Sequence, residues 1–357
     1  MHQLTFDSIY GVVNGITFVD DSTISVHNHP VHITHCKSPI EIPWKQYDVA
    51  VVYECSGEFT TSSQCQGHLT AGCKRVIVTA PSSDIPMVCR CVREKVEPMV
   101  TIASSSTCCL APLLHLLSSL APIDYVSYTV IHSVTSQQQV TDRPLPQELD
   151  KRIGRAAGLN IIPVMSSAYH CLPILLPWLK GRLYGQSVHV PSFNGCLAEV
   201  SVHFSDSVAL QTVVHCIQNA AHNEMKGVLD MTDEDVVSSD FVKCSVSCVV
   251  DKKLLHLDSH GHLHLSCWFD DDWSYCSRAI DFGHCYVYYK QKKAIYMGFG
   301  HFYMHSPAVP ETCAGTASSE CLLSTQEPST KDSAQHSQFQ MKESLKQVLQ
   351  QSSRRWK

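Results

Sequence analysis

The order of apolar runs in this chain predicts an α/β unit followed by an α+β unit, and three observations carry that reading. In the first third, strand-length β-branched runs alternate with helical segments, as in a parallel sheet with crossover connections. After Asp124 the strands lengthen and alternate apolar with polar residues, as in a mostly antiparallel sheet. Beyond residue 306 the composition turns to Ser, Thr, Glu, Gln and Pro, too poor in apolar surface to order itself.

Each element follows from its own pattern. The runs 47–54 (Y-D-V-A-V-V-Y-E) and 74–80 (K-R-V-I-V-T-A) read as strands, with a helical segment over 60–71 between them. A third run, 99–104, leads into an apolar helix over 108–119. In the second unit the alternating stretches 125–134, 197–204 and 242–249 read as strands, and 207–223 as a helix between the last two. T-I-S-V-H-N-H-P-V-H-I-T and L-L-H-L-D-S-H-G-H-L-H-L-S-C-W read as hairpins, with Asn28, Pro30, Ser259 and Gly261 as turn residues. The aromatic run 283–289 resembles a strand more than a helix. In the tail, 306–357, Met341, Leu345, Val348 and Leu349 share one face of a short helix over 339–351, either a partner-binding helix or a frayed end.

Composition narrows the classes of function. The 357 residues, 44% hydrophobic, suffice for two domains and a smaller piece. A net charge of -6 without a long Lys/Arg block gives no general attraction to nucleic acid or anionic lipid. No apolar run approaches the roughly 18 residues of a membrane span, and the first residues lack the pattern of a secretion signal; a soluble, cytoplasmic protein is expected. The 18 cysteines then read as reduced, buried thiols. No C-x-x-C pair occurs, and Cys89-x-Cys91 and Cys108-Cys109 lack structural-zinc spacing. His27, His29, His32 and His35, and likewise His256, His260, His262 and His264, fall in the hairpins, so no metal site is expected there.

The most informative stretch is 103–112, A-S-S-S-T-C-C-L-A-P. It belongs to an ordered series: F-D-S-I-Y-G at 6–11, E-C-S-G-E-F-T-T at 54–61, K-R-V-I-V-T-A-P-S at 74–82, D-I-P-M at 84–87, N-I-I-P at 160–163, V-V-S-S-D-F at 236–241 and C-W-F-D-D-D-W-S-Y at 267–275. The series resembles the glyceraldehyde-3-phosphate dehydrogenase family over 6–280, whose active-site signature reads A-S-C-T-T-N-C-L-A-P. The resemblance implies a residual Rossmann-type NAD-binding domain over 1–104, a catalytic-type domain over 105–282, a divergent segment over 283–305 and the tail. It also implies that the sequence starts at the helix before the third strand of that fold. The first strand, the G-x-G-x-x-G phosphate turn and the ribose carboxylate are then not in it, and the next strand has an unpaired edge.

What the resemblance implies about the site is mixed. Ser105 stands at the position of the nucleophilic cysteine, and an alcohol needs a base where a thiol ionises near neutrality. His132 matches the family's histidine base. Cys109 matches its second cysteine, and neither Cys108 nor Cys109 is placed to replace the thiol. Ser104, Ser106, Thr135, Ser166 and Ser167 match phosphate-binding positions, Gln137 replaces a threonine, and His189 replaces the arginine that pairs with the substrate phosphate. Ser56, Gly57, Thr79, Asp271 and Tyr275 fall at cofactor positions, with Asp271 in place of an asparagine that donates to the nicotinamide carboxamide. NAD is the cofactor implied. The family's usual tetramer implies a homo-oligomer, or a mixed oligomer with an intact paralogue. These losses favour a catalytically impaired protein with a scaffold or partner-binding role. The alternative is a working NAD-dependent oxidoreductase of glycolysis, converting glyceraldehyde 3-phosphate and phosphate to 1,3-bisphosphoglycerate.

Overall fold

The computed structural model describes residues 2–288 apart from 96 and 148. The tail helix over 339–351 and most of the 283–305 segment lie outside the described residues. A short helix, α1 (His2–Thr5), leads through two short strands, β1 (Phe6–Asp7) and β2 (Gly11–Val12), to an antiparallel sheet of β3 (Ile16–Asp20), β4 (Thr23–Val26) and β5 (His29–His32). The first histidine cluster is therefore a hairpin, as expected. Its turn lies at His27 and Asn28, whose φ angles of 48° and 66° are left-handed. Pro30 is not in that turn but in the edge strand β5, where a missing N–H is tolerated.

The parallel sheet follows, in the order β6 (Val51–Glu54), β7 (Arg75–Val78), β8 (Met99–Thr101), with α2 (Ser62–Thr70) as the first crossover. Thr61 starts α2 with a reciprocal cap: its hydroxyl accepts from the Gln64 N–H, and Gln64 Oε1 accepts from the Thr61 N–H. Among the described residues β6 pairs only with β7, so its other edge carries no strand. After β8 the chain enters α3 (Ser105–Leu117), which begins ahead of the apolar run because Ser104 caps it through the Thr107 N–H.

The larger sheet is built from β9 (Ile123–His132), β10 (Ile162–Met165), β11 (Leu183–His189), β12 (Cys196–Phe204), β13 (Leu229–Thr232), β14 (Cys248–Leu257) and β15 (His262–Phe269). Helices α4 (Ser167–Leu175) and α5 (Leu210–His222) connect its strands. The strand order is β10-β11-β9-β12-β15-β14-β13, and only β9–β11 and β13–β14 run parallel. Leu110, Leu113, Leu114 and Leu117 of α3 pack with Val130, Val200 and Leu265 of the sheet in the main core, all of them nearly or wholly buried. The second histidine cluster lies on the β14–β15 hairpin. Among the described residues no helix is long and apolar enough to cross a membrane.

Two expected strands are corrected. The stretch 242–249 alternates like a strand, yet β14 starts only at Cys248. Lys243 takes a left-handed φ of 68°, and its N–H donates to the Asp270 carboxylate rather than to a neighbouring strand. The run 283–289 is not a strand as far as it is described; it continues α6 (Trp273–Tyr288). Ala279, Phe282 and Tyr286 recur at helical spacing and pack on Ile77 and Val100 of the parallel sheet. Gly283 is where α6 crosses Tyr53, whose hydroxyl occupies the space a Cβ would need.

One buried carboxylate ties the two halves together. Asp270, wholly buried, accepts from the Tyr10 hydroxyl (2.8 Å), Asn194 Nδ2 (3.0 Å) and the N–H groups of Lys243 (2.9 Å) and Trp273 (2.7 Å). That fixes the turn into α6, and with it the next residue, Asp271.

Candidate functional site

Strand ends make the site. His132 closes β9, and parallel pairing sets His189 of β11 directly beside it, with ring centroids 4.6 Å apart. Cys196 opens the neighbouring β12, and Asp271 follows β15. Ser105 is the first residue of α3, reached through Ala103 in a left-handed conformation (φ 59°), a sparsely populated state for a residue with a side chain. The Tyr275 hydroxyl donates to the Ala103 carbonyl at 2.9 Å and braces that turn from α6.

Ser105 and His132, at the positions of the family's nucleophile and base, both converge on Asp271. Ser105 Oγ donates to Asp271 Oδ1 at 2.5 Å, and His132 Nε2 lies 3.2 Å from the same oxygen. His132 Nδ1 faces the Ser133 carbonyl at 2.8 Å, and His189 Nδ1 faces that carbonyl at 3.0 Å. A carbonyl only accepts, so Nδ1 carries the proton in both rings. Burial pushes His132 toward the neutral form, but the Asp271 charge outweighs it and raises its pKa well above the ordinary value. For Asp271, burial opposes ionisation while His132 and the Ser105 hydroxyl favour it, and the net shift is downward. His189 shifts down, through burial and through its neighbour His132.

The other expected residues divide into groups. Ser104 and Ser106 stay at the α3 start, Ser104 as the cap and Ser106 buried. The Ser166 hydroxyl accepts from Tyr128 at 3.0 Å and is buried, while Ser167 begins α4. The Thr135 N–H donates to Gln138 Oε1. Cys108 and Cys109 are buried in α3, as expected for thiols that cannot reach a substrate. Ser56, Gly57 and Thr79 lie at the carboxyl ends of β6 and β7, where ligands bind parallel sheets. Cys196 was not singled out by any sequence pattern. Its Sγ accepts from the Ser133 N–H at 3.5 Å, beside His132 and Asp271.

These residues fit a nicotinamide dinucleotide poorly. The hydroxyls of Ser56 and Thr79 both donate to Glu54, at 2.5 and 3.1 Å, rather than outward. Asp271, which stands in place of the family's asparagine, carries only acceptors when ionised.

Comparison with known proteins adds an independent finding. Residues 104–271 match the family model described as glyceraldehyde 3-phosphate dehydrogenase, C-terminal domain, and residues 1–62 match the NAD binding domain of the same enzyme. The chain is 32% identical over 285 residues to a glyceraldehyde-3-phosphate dehydrogenase of Giardia intestinalis, covering 78% of this chain and 84% of that protein. It is 34% identical to a cytosolic enzyme of that name from Chlamydomonas reinhardtii (78% and 83% covered) and 35% identical to a chloroplastic one from Arabidopsis thaliana (78% and 67% covered).

Proposed function

Because this chain belongs to the glyceraldehyde-3-phosphate dehydrogenase family, with NAD as cofactor by family resemblance, we propose that it is a catalytically impaired member whose fold serves assembly or partner binding. The observation that carries this reading is the hydrogen bond from Ser105 Oγ to Asp271 Oδ1 at 2.5 Å. The group at the nucleophile position gives its proton to a fixed carboxylate, and both ring nitrogens of His132 are engaged elsewhere. A carboxylate whose pKa is held this far below the usual range is a weak base, and an alcohol facing only such a base is a poor nucleophile for an aldehyde. At the phosphate position His189 offers an imidazole, and losing the charge-assisted fork of an arginine costs about 1.5–3 kcal/mol.

The surface supports the assembly part. Leu159, Ile161, Met165 and Tyr184, on and next to β10 and β11 at one edge of the larger sheet, are 86%, 70%, 68% and 54% exposed. Apolar side chains grouped in this way mark a docking face, and a second copy in the cytoplasm, or an intact paralogue, is the proposed occupant.

The test is NADH formation from glyceraldehyde 3-phosphate, NAD and inorganic phosphate by the purified protein. No rate above the protein-free background is expected. A steady rate that Ser105→Ala abolishes would overturn the reading and restore the dehydrogenase.

A further inference from the structure

We propose that His132, Cys196 and Asp271 form a binding site for a divalent transition metal, best suited to zinc, inside the former active-site cleft. Their ligand atoms lie within 4.8 Å of one another. The 3.2 Å between His132 Nε2 and Asp271 Oδ1 is close to the span of about 3.4 Å between two ligands on a tetrahedral zinc with bonds of about 2.0–2.2 Å. The three residues come from three separate elements: the end of β9, the start of β12 and the turn after β15.

Charge and orientation agree with the distances. An imidazole, a thiolate and a carboxylate carry two negative charges together, so a divalent ion leaves the site neutral where unbalanced charge is costly. One residue, Ser133, orients two of the ligands through its backbone. The Ser133 carbonyl takes the His132 Nδ1 proton and leaves Nε2 for the ion, while the Ser133 N–H points at Cys196 Sγ. Outer partners of this kind are what fix ring tautomer and thiolate position in metal centres. On binding, the Cys196 thiol releases its proton to solvent as the metal–sulfur bond forms. Cys196 is wholly buried, whereas the His132 and Asp271 side chains keep 12% and 20% of their surface exposed. The ion therefore enters from their side, and its fourth position faces the cleft next to Ser105.

A second trio, Cys109, Cys248 and Cys267, also has its sulfurs within 4.8 Å of one another, two of them 3.7 Å apart. All three are wholly buried in the main core, and three thiolates round a divalent ion would leave a net charge there. That trio is the control.

Metal binding is read without turnover, so its outcome is separate from that of the dehydrogenase assay. The reduced full-length protein is titrated with cobalt(II), then with zinc. A single equivalent of cobalt should give a thiolate-to-cobalt charge-transfer band with the visible bands of a four-coordinate ion, and zinc should erase both. Cys196→Ala should lose the charge-transfer band, Asp271→Asn should bind more weakly, and Cys248→Ala should bind as the parent does. Circular dichroism of each metal-free variant checks its fold; if Cys196→Ala does not fold, the near-isosteric Asp271→Asn decides. No band in the parent, a band kept in folded Cys196→Ala, unchanged affinity in Asp271→Asn, or loss in folded Cys248→Ala would overturn the proposal.

Discussion

Of the histidine–carboxylate pairs among the described residues, His68–Glu54 in the parallel-sheet unit and His132–Asp271 at the strand ends of the larger sheet are wired in opposite ways. In the first, Trp44 Nε1 donates to His68 Nδ1 at 3.1 Å, so that nitrogen is the acceptor and Nε2 carries the proton to Glu54 Oε2 at 2.8 Å. Every polar atom of the ring meets a complementary partner, and the side chains are only 4% and 7% exposed. In the second, both ring nitrogens of His132 face acceptors, the Ser133 carbonyl and the Asp271 carboxylate. Such a ring needs a positive charge between nitrogen and carboxylate, whether a proton or a metal ion. The first pair is complete as it stands and holds the fold; the second leaves a place for a cation.

Replacing each carboxylate by its amide separates the two, and the larger effect belongs to Glu54. Its Oε1 accepts from the Ser56 N–H and hydroxyl, and its Oε2 from His68. An amide must turn its NH2 toward one of those donors, and His68 cannot change tautomer while Trp44 holds Nδ1. Glu54→Gln should cost about 2–3 kcal/mol, the penalty of a buried donor left unpaired, read from the urea midpoint at neutral pH. A cost below that of an ordinary surface substitution would mean that the pair does not hold the sheet.

Acid is a gentler form of the same change. Burial works against the Glu54 charge, but the hydrogen bonds from His68 and Ser56 prevail and hold its pKa below the usual value. A depressed carboxyl pKa contributes stability that is present above the unfolded value of about 4.3 and lost as pH falls through the folded one. Melting temperature measured from pH 6 down to 3 should therefore fall more steeply for the parent than for Glu54→Gln. Parallel curves would remove Glu54 from the acid response.

The unequal legibility of the two pairs has a physical cause. The strands that carry Glu54 and Thr79, the capped helix between them and the hairpins show in the sequence because they are local patterns of period two or 3.6. Helix α6 did not, because Gly283 disfavours a helix and the aromatic and β-branched residues after it favour a strand, preferences that packing on Ile77 and Val100 overrides. Ser105, His132, His189 and Asp271 were each singled out by the family motifs, yet their partners were not. That Ser105 bonds to a residue 166 positions away, and that Cys196 lies beside His132, are consequences of strand order and register, which no window of sequence contains.

The smallest expected effect is at Asp271, and it sharpens the contrast most. Asp271→Asn keeps an amide oxygen that can accept from Ser105, and its NH2 can turn toward the open side, since the site is partly exposed. No tightly packed donor is left facing another donor, unlike at Glu54. The change should cost less than about 1 kcal/mol in the same urea measurement, because the pair stays open to solvent on one side. If it costs as much as Glu54→Gln, the His132–Asp271 pair is a second structural latch, and the cleft has been kept for folding alone.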